Sequence, residues 1–584
     1  MNDHRSRDEG AADPLTRYGR ATTLAVIAVG AVLRLPWPSG WWLNPDEGIY
    51  YQVLTRTSFA DFWADALATA HPPLYFLILR GIAFWTTDFA WLRSVAWVSG
   101  VAAVYVFILL GREVAGGGRG GRVAGVLAGI LLALSPRAIA LSQVIRPYTL
   151  LLLLLAGAAL FLLRSLREPS NGRLGGYAVC ACLALTLHYS AVAALGVFGL
   201  LVLADGLRSG LGRPAWRRTA LVQLVPGLTL VALYLLHLRE LMGSAMADQA
   251  LEGWLSAYLI RGPTDVWLGL VGAHASLVGD TFAASATLAT LVGLGWAGWM
   301  RRWNVLVMGG SAIALAITGA LAGLYPLGAT RHASWIIVFV APVLAWTAAS
   351  MLLAGLSKRP AAPQPRAEPP QPRAEAPQPR ARTARPGARA VPALLLIALV
   401  AGAVPIGSVL DSERRPREIS EQVLQVAHVR AMSEVLSPTR GPRLVLMSHE
   451  TYQLLTPLFV DRRHAIQRAD EGGLLHFPWG IRDVIVLPGR DFAALPSQLG
   501  RANHLHTATR RAAGAFGLGG PAVGEPVLVL AGGWRSQGME DLVQLAATSP
   551  GLGSSTHVPG LIAVELDFGV YGRALGLEAD DPAG

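Results

Sequence analysis

Long apolar blocks make up most of the first 410 residues, and short loops that carry arginine or acidic residues separate them. A helix that crosses a bilayer needs about 20 predominantly apolar residues. The pattern therefore predicts an α-helical polytopic membrane protein with about eleven transmembrane helices. The predicted spans are residues 21–35, 92–110, 123–135, 148–163, 175–187, 191–207, 220–236, 275–300, 305–324, 333–356 and 391–410.

The segment at residues 74–85 decides on which side of the membrane every later loop falls. It contains Arg80 and is shorter than the ~20 residues that a span needs. If it lies along the interface, all later arginine-rich loops are cytoplasmic, as the positive-inside rule requires. The basic tail before the first span places the N-terminus on the same side. The loops in question carry Arg112, Arg119, Arg122, Arg164, Arg167, Arg173, Arg208, Arg213, Arg217, Arg218, Arg301 and Arg302.

Composition supports a membrane protein and narrows its partners. Hydrophobic residues make up 53% of the chain and charged residues 15%, with a mean hydropathy of +0.43, whereas soluble domains carry about 25% charge. The net charge of +11 comes from arginines in the loops between spans, so it indicates membrane orientation and no nucleic-acid partner. Cys180 and Cys182 lie on one apolar helix and point in different directions, so we interpret them as packing residues. The first span lacks a signal-cleavage motif and is predicted to be retained.

The chain is predicted to have five parts. Its membrane module is residues 21–356 with an external loop at 36–91, preceded by a cytoplasmic tail at 1–20. A Pro/Ala/Arg-rich segment at 357–390 predicts an extended cytoplasmic linker, followed by the last span at 391–410. Residues 411–584 are less apolar and predict an extracytoplasmic α/β domain. Its predicted elements are helices at 418–436 and 539–547 and strands at 444–447, 483–487, 527–530 and 561–566. In the membrane module, residues 238–272 are predicted to form a further external loop.

The most polar stretch near the first span is Asn44-Pro45-Asp46-Glu47. Its spacing is that of a helix N-terminus, with Asn44 as the cap, Pro45 in the first turn and Glu47 at the capping-box position. A catalytic interpretation places Asp46 at the reaction and lets Glu47 support it or a cation. Both interpretations hold together, because capping would make the loop rigid.

Other polar clusters lie at the predicted external ends of the spans. An arginine at the external surface runs against the positive-inside rule, so it needs a specific reason to be there. Phosphate binding is one such reason, because an arginine can hold two phosphate oxygens at once. His71-Pro72-Pro73 is either a rigid turn or a contact to an anionic headgroup, and packing is the favoured interpretation for His188. The candidate substrate-binding residues are His71, Arg93, Gln143, Arg146, Tyr148, His188, Tyr325, Arg331 and His332.

Taken in order, these motifs resemble the GT-C glycosyltransferases. The branch they are most similar to contains the protein O-mannosyltransferases and the lipid A aminoarabinose transferase, and the resemblance covers residues 20–356. The motifs are Asp46-Glu47, His71-Pro72-Pro73-Leu74-Tyr75, Leu92-Arg93-Ser94, Ser142-Gln143-x-x-Arg146-Pro147-Tyr148, Leu187-His188-Tyr189-Ser190 and Tyr325-Pro326-x-Gly328-x-x-Arg331-His332. Val144 stands where many relatives carry Glu, which argues against a metal site, and His71 replaces the Lys of the aminoarabinose branch, so that sugar is not favoured.

The resemblance implies a fold and a reaction. It implies a GT-C fold and a polyprenyl-phosphate-linked sugar donor that is attacked at the outer face of the cytoplasmic membrane. The acceptor is an envelope glycan, a lipid or a protein. Arg146 and Arg331, with His71, would stabilise the leaving phosphate, and Asp46 would accept the acceptor's proton late in the reaction, because a carboxylate is a weak base. Direct displacement with one base predicts inversion; a divalent cation stays open as a cofactor.

Two other classes of protein fit a polytopic chain. A lipid or glycolipid transporter would show inverted repeats or helices broken at mid-bilayer, and the sequence shows no such repeat. A non-catalytic scaffold would leave the polar clusters on one side without a reason. The enzyme hypothesis predicts that Asp46, Arg146 and Arg331 meet in one pocket.

Overall fold

A computed structural model describes residues 14–35, 41–242, 260–356, 424 and 426–459, together with parts of the C-terminal region. Those parts are residues 467–468, 474–479, 481–487, 511–513, 515–516, 518, 526–532, 555–558 and 561–566. The predicted linker, the last span at 391–410 and the helix at 539–547 lie outside the described residues. Contacts divide the chain into two compact units. Unit 1 is Met1–Leu35, Ala96–Ser142 and Pro147–Arg414, and unit 2 is Pro36–Val95, Gln143–Arg146 and Arg415–Gly584.

Long helices build unit 1, and every predicted span that falls on described residues is helical. Seven of the described helical stretches are long and apolar enough to cross a membrane, so the chain is a multi-pass membrane protein. The helices, with α5 beginning in unit 2, are α1 Pro14–Arg34, α5 Phe89–Val114, α6 Gly118–Ala133, α7 Pro136–Leu141, α8 Tyr148–Arg167, α9 Asn171–Leu187, α10 Ala191–Ser209, α11 Pro214–Val222, α12 Leu224–Leu233, α13 Arg239–Met242, α14 Pro263–Val278, α15 Asp280–Trp299, α16 Trp303–Leu321 and α17 Ile337–Leu356. A π-helical segment, Tyr234–Leu238, joins α12 to α13, and a 3₁₀ turn, His332–Ile336, precedes α17.

The span predicted at 275–300 is present as α15, which begins five residues later because the helix breaks at Gly279. Gly279 has φ of 82°, which is the left-handed region that residues with a Cβ avoid. The helix before the break, α14, begins at Pro263, inside the segment predicted as an external loop. Pro263 suits the first turn of a helix, and Asp265 accepts hydrogen bonds from the backbone N–H groups of Arg261 (2.8 Å) and Gly262 (3.1 Å).

Arg34 lies inside the helix packing, although an arginine at the end of a span commonly extends its side chain to the membrane surface. It is fully buried. Its guanidinium donates to the carbonyls of Leu132 (2.5 Å) and Ala133 (2.8 Å) at the end of α6, and to Gly30 (3.1 Å) in its own helix. The last carbonyls of a helix have no partner within it and carry partial negative charge. Arg34 therefore caps α6 and ties it to α1.

The first half of unit 2 consists of three short helices, α2 Pro45–Leu54, α3 Phe59–Leu67 and α4 Leu74–Ala83. At 10 residues, α4 spans about 15 Å, half the thickness of the hydrocarbon core. Arg80 donates to the carbonyls of Leu54 and Arg56, each at 2.5 Å. The segment predicted to lie along the interface is thus a short helix whose arginine closes the turn after α2.

The second half of unit 2 holds a seven-stranded sheet among its described residues, in the order β2-β3-β4-β1-β5-β7-β6. Its centre is parallel, with β1 between β4 and β5, and its outer pairs are antiparallel. The strands are β1 Leu444–Ser448, β2 Gln467–Arg468, β3 Leu475–Trp479, β4 Arg482–Leu487, β5 Val527–Gly532, β6 Ser555–Val558 and β7 Leu561–Leu566.

All four predicted strands are present, as β1, β4, β5 and β7. They are the apolar runs, because a central strand buries both faces and shows no polar alternation. The shorter and more polar strands β2, β3 and β6 were missed. Two helices accompany the sheet, α18 Val426–Ala431 and α19 His449–Leu455. Helical hydrogen bonds continue beyond α18, from the Leu436 amide to the Met432 carbonyl (2.8 Å), which is the end predicted for this helix.

Candidate active site

The capping box predicted from Asn44 and Glu47 begins α2. The Asn44 Oδ1 accepts from the Glu47 backbone N–H at 2.9 Å, and the Glu47 carboxylate accepts from the Asn44 N–H at 3.0 Å. Pro45 occupies the first helical position, where a missing N–H costs nothing. The two acids therefore stand on a rigid first turn, and their side chains leave it in different directions.

Glu47 is buried and its oxygens are fully engaged. The side chain is 1% exposed. Besides the Asn44 amide, it accepts from Arg93 Nε and Nη2, both at 2.9 Å, and from the Ile145 backbone N–H at 2.8 Å. A carboxylate with four donors has little capacity left to take a substrate proton. In the structure Glu47 supports the loop, as the sequence analysis allows, and its part in catalysis stays a prediction.

Arg93 is the partner that makes Glu47 rigid. In addition to its two-pronged contact with Glu47, Nη1 donates to the Trp41 carbonyl (3.1 Å) and Nη2 to the Trp42 carbonyl (2.9 Å). Only 4% of the residue is exposed. The sequence predicts that Arg93 binds substrate; in the structure its guanidinium contacts Glu47 and the loop that carries the acids, and the substrate contact stays a prediction.

Asp46 forms an ion pair with Arg146 on the open side of the same turn. The Asp46 Oδ2 and Arg146 Nη2 are in contact, and the aspartate side chain is 17% exposed. Arg146 Nη1 lies 3.5 Å from His71 Nε2, and its guanidinium carbon lies 5.2 Å from the centre of the Tyr50 ring. The His71 ring stacks on the Tyr50 ring, and the two ring centres are 6.0 Å apart. The structure brings together Asp46 and Arg146, two of the three residues predicted to meet, and the place of Arg331 beside them stays a prediction.

Residues 143–146 are held as a buried strip. Gln143 is 3% and Arg146 is 4% exposed, and the Ile145 amide is fixed by Glu47. Val144, which replaces the Glu of many relatives, is also buried. Because Asp46 and Glu47 each face a guanidinium, the residues present do not fit a divalent cation. Within the described part of the chain, no group of three His, Cys, Asp or Glu side chains has metal-binding geometry.

A second polar group lies in unit 1, where three loops far apart in the sequence bring Tyr148, His188 and His332 together. The ring centres of Tyr148 and His188 are 5.0 Å apart, those of His188 and His332 5.7 Å, and those of Tyr148 and His332 6.0 Å. The Ser190 backbone N–H donates to His188 Nδ1 at 3.1 Å. An imidazole that accepts at Nδ1 carries its proton on Nε2, so His188 presents a donor to this group.

Tyr325 and Arg137 hold the loop that supplies His332. The Tyr325 hydroxyl donates to the His332 carbonyl. Desolvation by burial raises the pKa of Tyr325 far above its ordinary value, so the hydroxyl remains a donor. Arg137 is buried and donates to the Ala329 carbonyl at 2.5 Å. Sequence reasoning missed Arg137, although a cation one residue after Ser135-Pro136 at a span end was a signal. Arg331 is half-buried, and its joint action with Arg146 stays a prediction.

Trp42 and Gly48 are residues of the site region that the sequence did not reveal. Trp42 Nε1 donates to the Leu454 carbonyl at 2.7 Å, and its amide donates to the Leu424 carbonyl at 2.8 Å. A Cβ on Gly48 would lie 1.9 Å from the Gln453 carbonyl oxygen. Helix α2, which carries both acids, is therefore in backbone contact with α19 of the sheet-containing half of unit 2.

These features define a polytopic membrane protein that carries a rigid acid–arginine site on a loop helix. No family model and no curated protein match the chain. The chain resembles several solved structures, and ArnT from Cupriavidus metallidurans is among them in two states. ArnT from Cupriavidus metallidurans is 12% identical, with 95% of this chain and 99% of that chain covered and a TM-score of 0.49. The structure of the same protein bound to undecaprenyl phosphate is 14% identical, with 95% of this chain and 98% of that chain covered and a TM-score of 0.47.

A third similar structure is the oligosaccharyltransferase AglB from Archaeoglobus fulgidus, in complex with an inhibitory peptide and a dolichol-phosphate. It is 12% identical, with 89% of this chain and 70% of that chain covered and a TM-score of 0.46. At such identities and scores, what these proteins bind does not carry over to this chain by likeness alone. The chemistry of the chain's own residues has to support an assignment.

Proposed function

We propose that this protein is a membrane glycosyltransferase that moves a sugar from a polyprenyl-phosphate-linked donor to an acceptor hydroxyl. The Asp46–Arg146 pair is the observation that carries the proposal. It combines a partly exposed carboxylate with a guanidinium, and these are the base and the phosphate partner that the reaction needs. We assign the reaction to the outer face of the cytoplasmic membrane, and the acceptor to an envelope glycan, lipid or protein.

The acid and the cation have separate tasks in the reaction. The donor phosphate engages Arg146, with His71 beside it at 3.5 Å, and this displaces the Asp46 carboxylate from the ion pair. The released Asp46 then accepts the proton of the incoming hydroxyl. The acceptor oxygen bonds to the anomeric carbon as the bond from that carbon to the phosphate oxygen breaks, and the polyprenyl phosphate departs as an anion. A single displacement of this kind inverts the anomeric configuration.

Electrostatic stabilisation of the leaving phosphate supplies most of the catalysis in this scheme. Arg146 is held by the ring of Tyr50 and by its own burial, so little reorganisation is needed when charge develops. Phosphate leaves as an anion without a strong general acid, which agrees with the one partly exposed carboxylate at the pair. Glu47 and Arg93 act as positioning residues, because they contact the loop and each other and leave Asp46 to the substrate.

In unit 1, we assign sugar or acceptor contacts to the group of Tyr148, His188 and His332. Hydroxyl and imidazole groups among aromatic faces are suited to sugars, which present hydroxyls at their edges and C–H groups on their faces. Arg331, Gln143 and Tyr325 complete the set of proposed substrate-binding residues. Of these, Gln143 is buried in unit 2, and Tyr325 also donates to the His332 carbonyl in unit 1.

The test uses the purified full-length protein in lipid nanodiscs. A panel of polyprenyl-phosphate hexoses and pentoses, labelled in the lipid, is offered with envelope extracts as acceptors. Release of free polyprenyl phosphate that depends on both the acceptor and Asp46 is the expected result. If none of the donors is turned over, while labelled donor crosses the bilayer in liposomes that contain the protein, the chain is a transporter and the proposal fails.

A further inference from the structure

Helices α8, α10 and α16 have the polar group of Tyr148, His188 and His332 near one end. A cleft in unit 1 lies at their other end. Helix α8 begins at Tyr148 and ends beside the cleft at Arg167; α10 begins just after His188 and reaches it at Arg208. Helix α16 runs the other way, from Trp303 at the cleft towards Tyr325. A helix of 20 residues is about 30 Å long, the thickness of a bilayer core. The cleft therefore lies at the other membrane surface.

The cleft has an apolar wall and a charged mouth. Its cavity volume is about 200 Å³, below the roughly 300–1,000 Å³ of small-molecule sites, so it has room for a lipid headgroup and the start of its chains but not for a whole lipid. Leu163, Leu166, Leu201 and Val307 form the wall, and the mouth carries Arg167, Asp205, Arg208, Trp303 and Asn304. This distribution fits a ligand that is polar at one end and apolar at the other, as a membrane lipid is.

The charged side chains at the mouth differ in the partners that they contact. Glu113 pairs with Arg167 at 2.7 Å and with Arg164 at 3.4 Å. Among the described residues, neither Asp205 nor Arg208 forms an ion pair within 4 Å. Arg208 lies over the Trp303 ring with its guanidinium carbon 5.8 Å from the ring centre, and Asp205 accepts from the Ser209 hydroxyl at 3.4 Å.

Asp205 and Arg208 are three residues apart on α10, so they stand on the same helix face about one turn apart. They offer an anion and a cation side by side, next to an apolar wall and an aromatic ring that belongs at a membrane–water interface. A headgroup that carries both a negative and a positive charge can contact Arg208 and Asp205 at the same time.

We propose that this cleft binds a phospholipid whose headgroup carries both a phosphate and a primary amine, of the phosphatidylethanolamine type. The phosphate oxygens accept from Arg208, with Arg167 beside it, and the ammonium donates to the Asp205 carboxylate. The acyl chains run along the leucine wall. Arg208 remains on the Trp303 ring, which orients its guanidinium towards the headgroup.

Native mass spectrometry of the full-length protein tests the site. The protein is released from nanodiscs that contain equal amounts of phosphatidylethanolamine, phosphatidylcholine and phosphatidylglycerol. We expect it to retain phosphatidylethanolamine, with Asp205→Asn and Arg208→Gln each lowering the retained fraction about tenfold, a change typical of one lost charge-assisted hydrogen bond. Arg122→Gln is the matched control, because Arg122 is exposed on the same side and does not line the cleft.

Four outcomes would overturn the proposal. If phosphatidylglycerol is retained as well as phosphatidylethanolamine, the amine is not recognised. If Asp205→Asn retains the lipid like the wild type, the Asp205 carboxylate takes no part in binding. Equal loss with Arg122→Gln shows a general effect of surface charge. A parallel arm adds free phosphoethanolamine, and displacement of the lipid by it at millimolar concentration would mean that the headgroup alone is the ligand. Size-exclusion profiles and melting temperatures establish that each variant is folded.

Discussion

Asp46 and Glu47 are consecutive residues on one helical turn, yet the regions around their carboxylates differ in almost every respect. Glu47 is 1% exposed and receives four hydrogen bonds, two of them from an arginine that has its own further partners. Asp46 is 17% exposed, and Arg146 is the partner of its ion pair. Burying a charge is costly unless it is paired and hydrogen-bonded. Glu47 thus holds the loop together, and Asp46 has the freedom to exchange its partner for a substrate.

The largest expected effect separates the two acids by activity. Asp46→Asn removes the proposed base while keeping the size of the side chain, and we expect transfer to fall by about 10²–10⁴-fold with little change in melting temperature. Asp65→Asn is the matched control, because Asp65 also pairs with an arginine, Arg56, at 2.6 Å in the same unit and is 23% exposed. Steady-state rates that fall equally in both variants would remove the distinction between Asp46 and other paired acids.

The second effect separates the two acids by stability. Glu47→Gln leaves Arg93 buried without its carboxylate, and breaking a buried pair in this way costs about 3–5 kcal/mol. We expect a clearly lower melting temperature and loss of activity together. Glu168→Gln, in an exposed pair with Arg173, should leave the melting temperature almost unchanged. A stable but inactive Glu47→Gln protein would return Glu47 to the chemistry.

The third prediction concerns the helix that carries both acids. Gly48→Ala places a methyl group against the Gln453 carbonyl, and such overpacking costs about 1–3 kcal/mol. The control is Gly81→Ala in α4, where a Cβ would meet no atom within 4 Å. We expect only Gly48→Ala to lower the melting temperature and the rate. If both variants melt like the wild type, the contact between α2 and α19 is not as tight as described.

The smallest predicted change tests the cation. Arg146→Lys keeps the charge of Arg146 but loses its fork, so it cannot hold two phosphate oxygens at once. We expect the KM for the lipid-linked donor to rise about tenfold, the equivalent of one charge-assisted hydrogen bond, with a smaller change in kcat. A change confined to the acceptor KM would contradict the assignment of Arg146 to the donor phosphate.

Local pattern predicted much of this site, and long-range partners account for the rest. The capping box could be predicted from Asn44, Pro45 and Glu47, because its two partners are only three residues apart. Nothing local reveals that Glu47 also meets Arg93 and the Ile145 amide, 46 and 98 residues away. The division of labour between the two acids follows from those contacts, so sequence analysis proposed both as catalytic.

The fold shows the same limit. Apolar runs predicted the central strands and the spans, because burial on all sides leaves a continuous hydrophobic signal. The break at Gly279 was missed, since a single glycine in an apolar run is also compatible with an unbroken helix. The edge strands β2 and β6 were missed because they are two and four residues long.

The bond from Trp42 to the Leu454 carbonyl joins residues 412 positions apart. A ribosome adding roughly 5–20 residues per second needs about 20–80 s to cover that stretch. During translation, the acid-bearing helix waits for a partner that is made long after the first spans have entered the bilayer. The nascent enzyme should therefore gain its working geometry only near the end of its synthesis, when α19 has left the ribosome and docked.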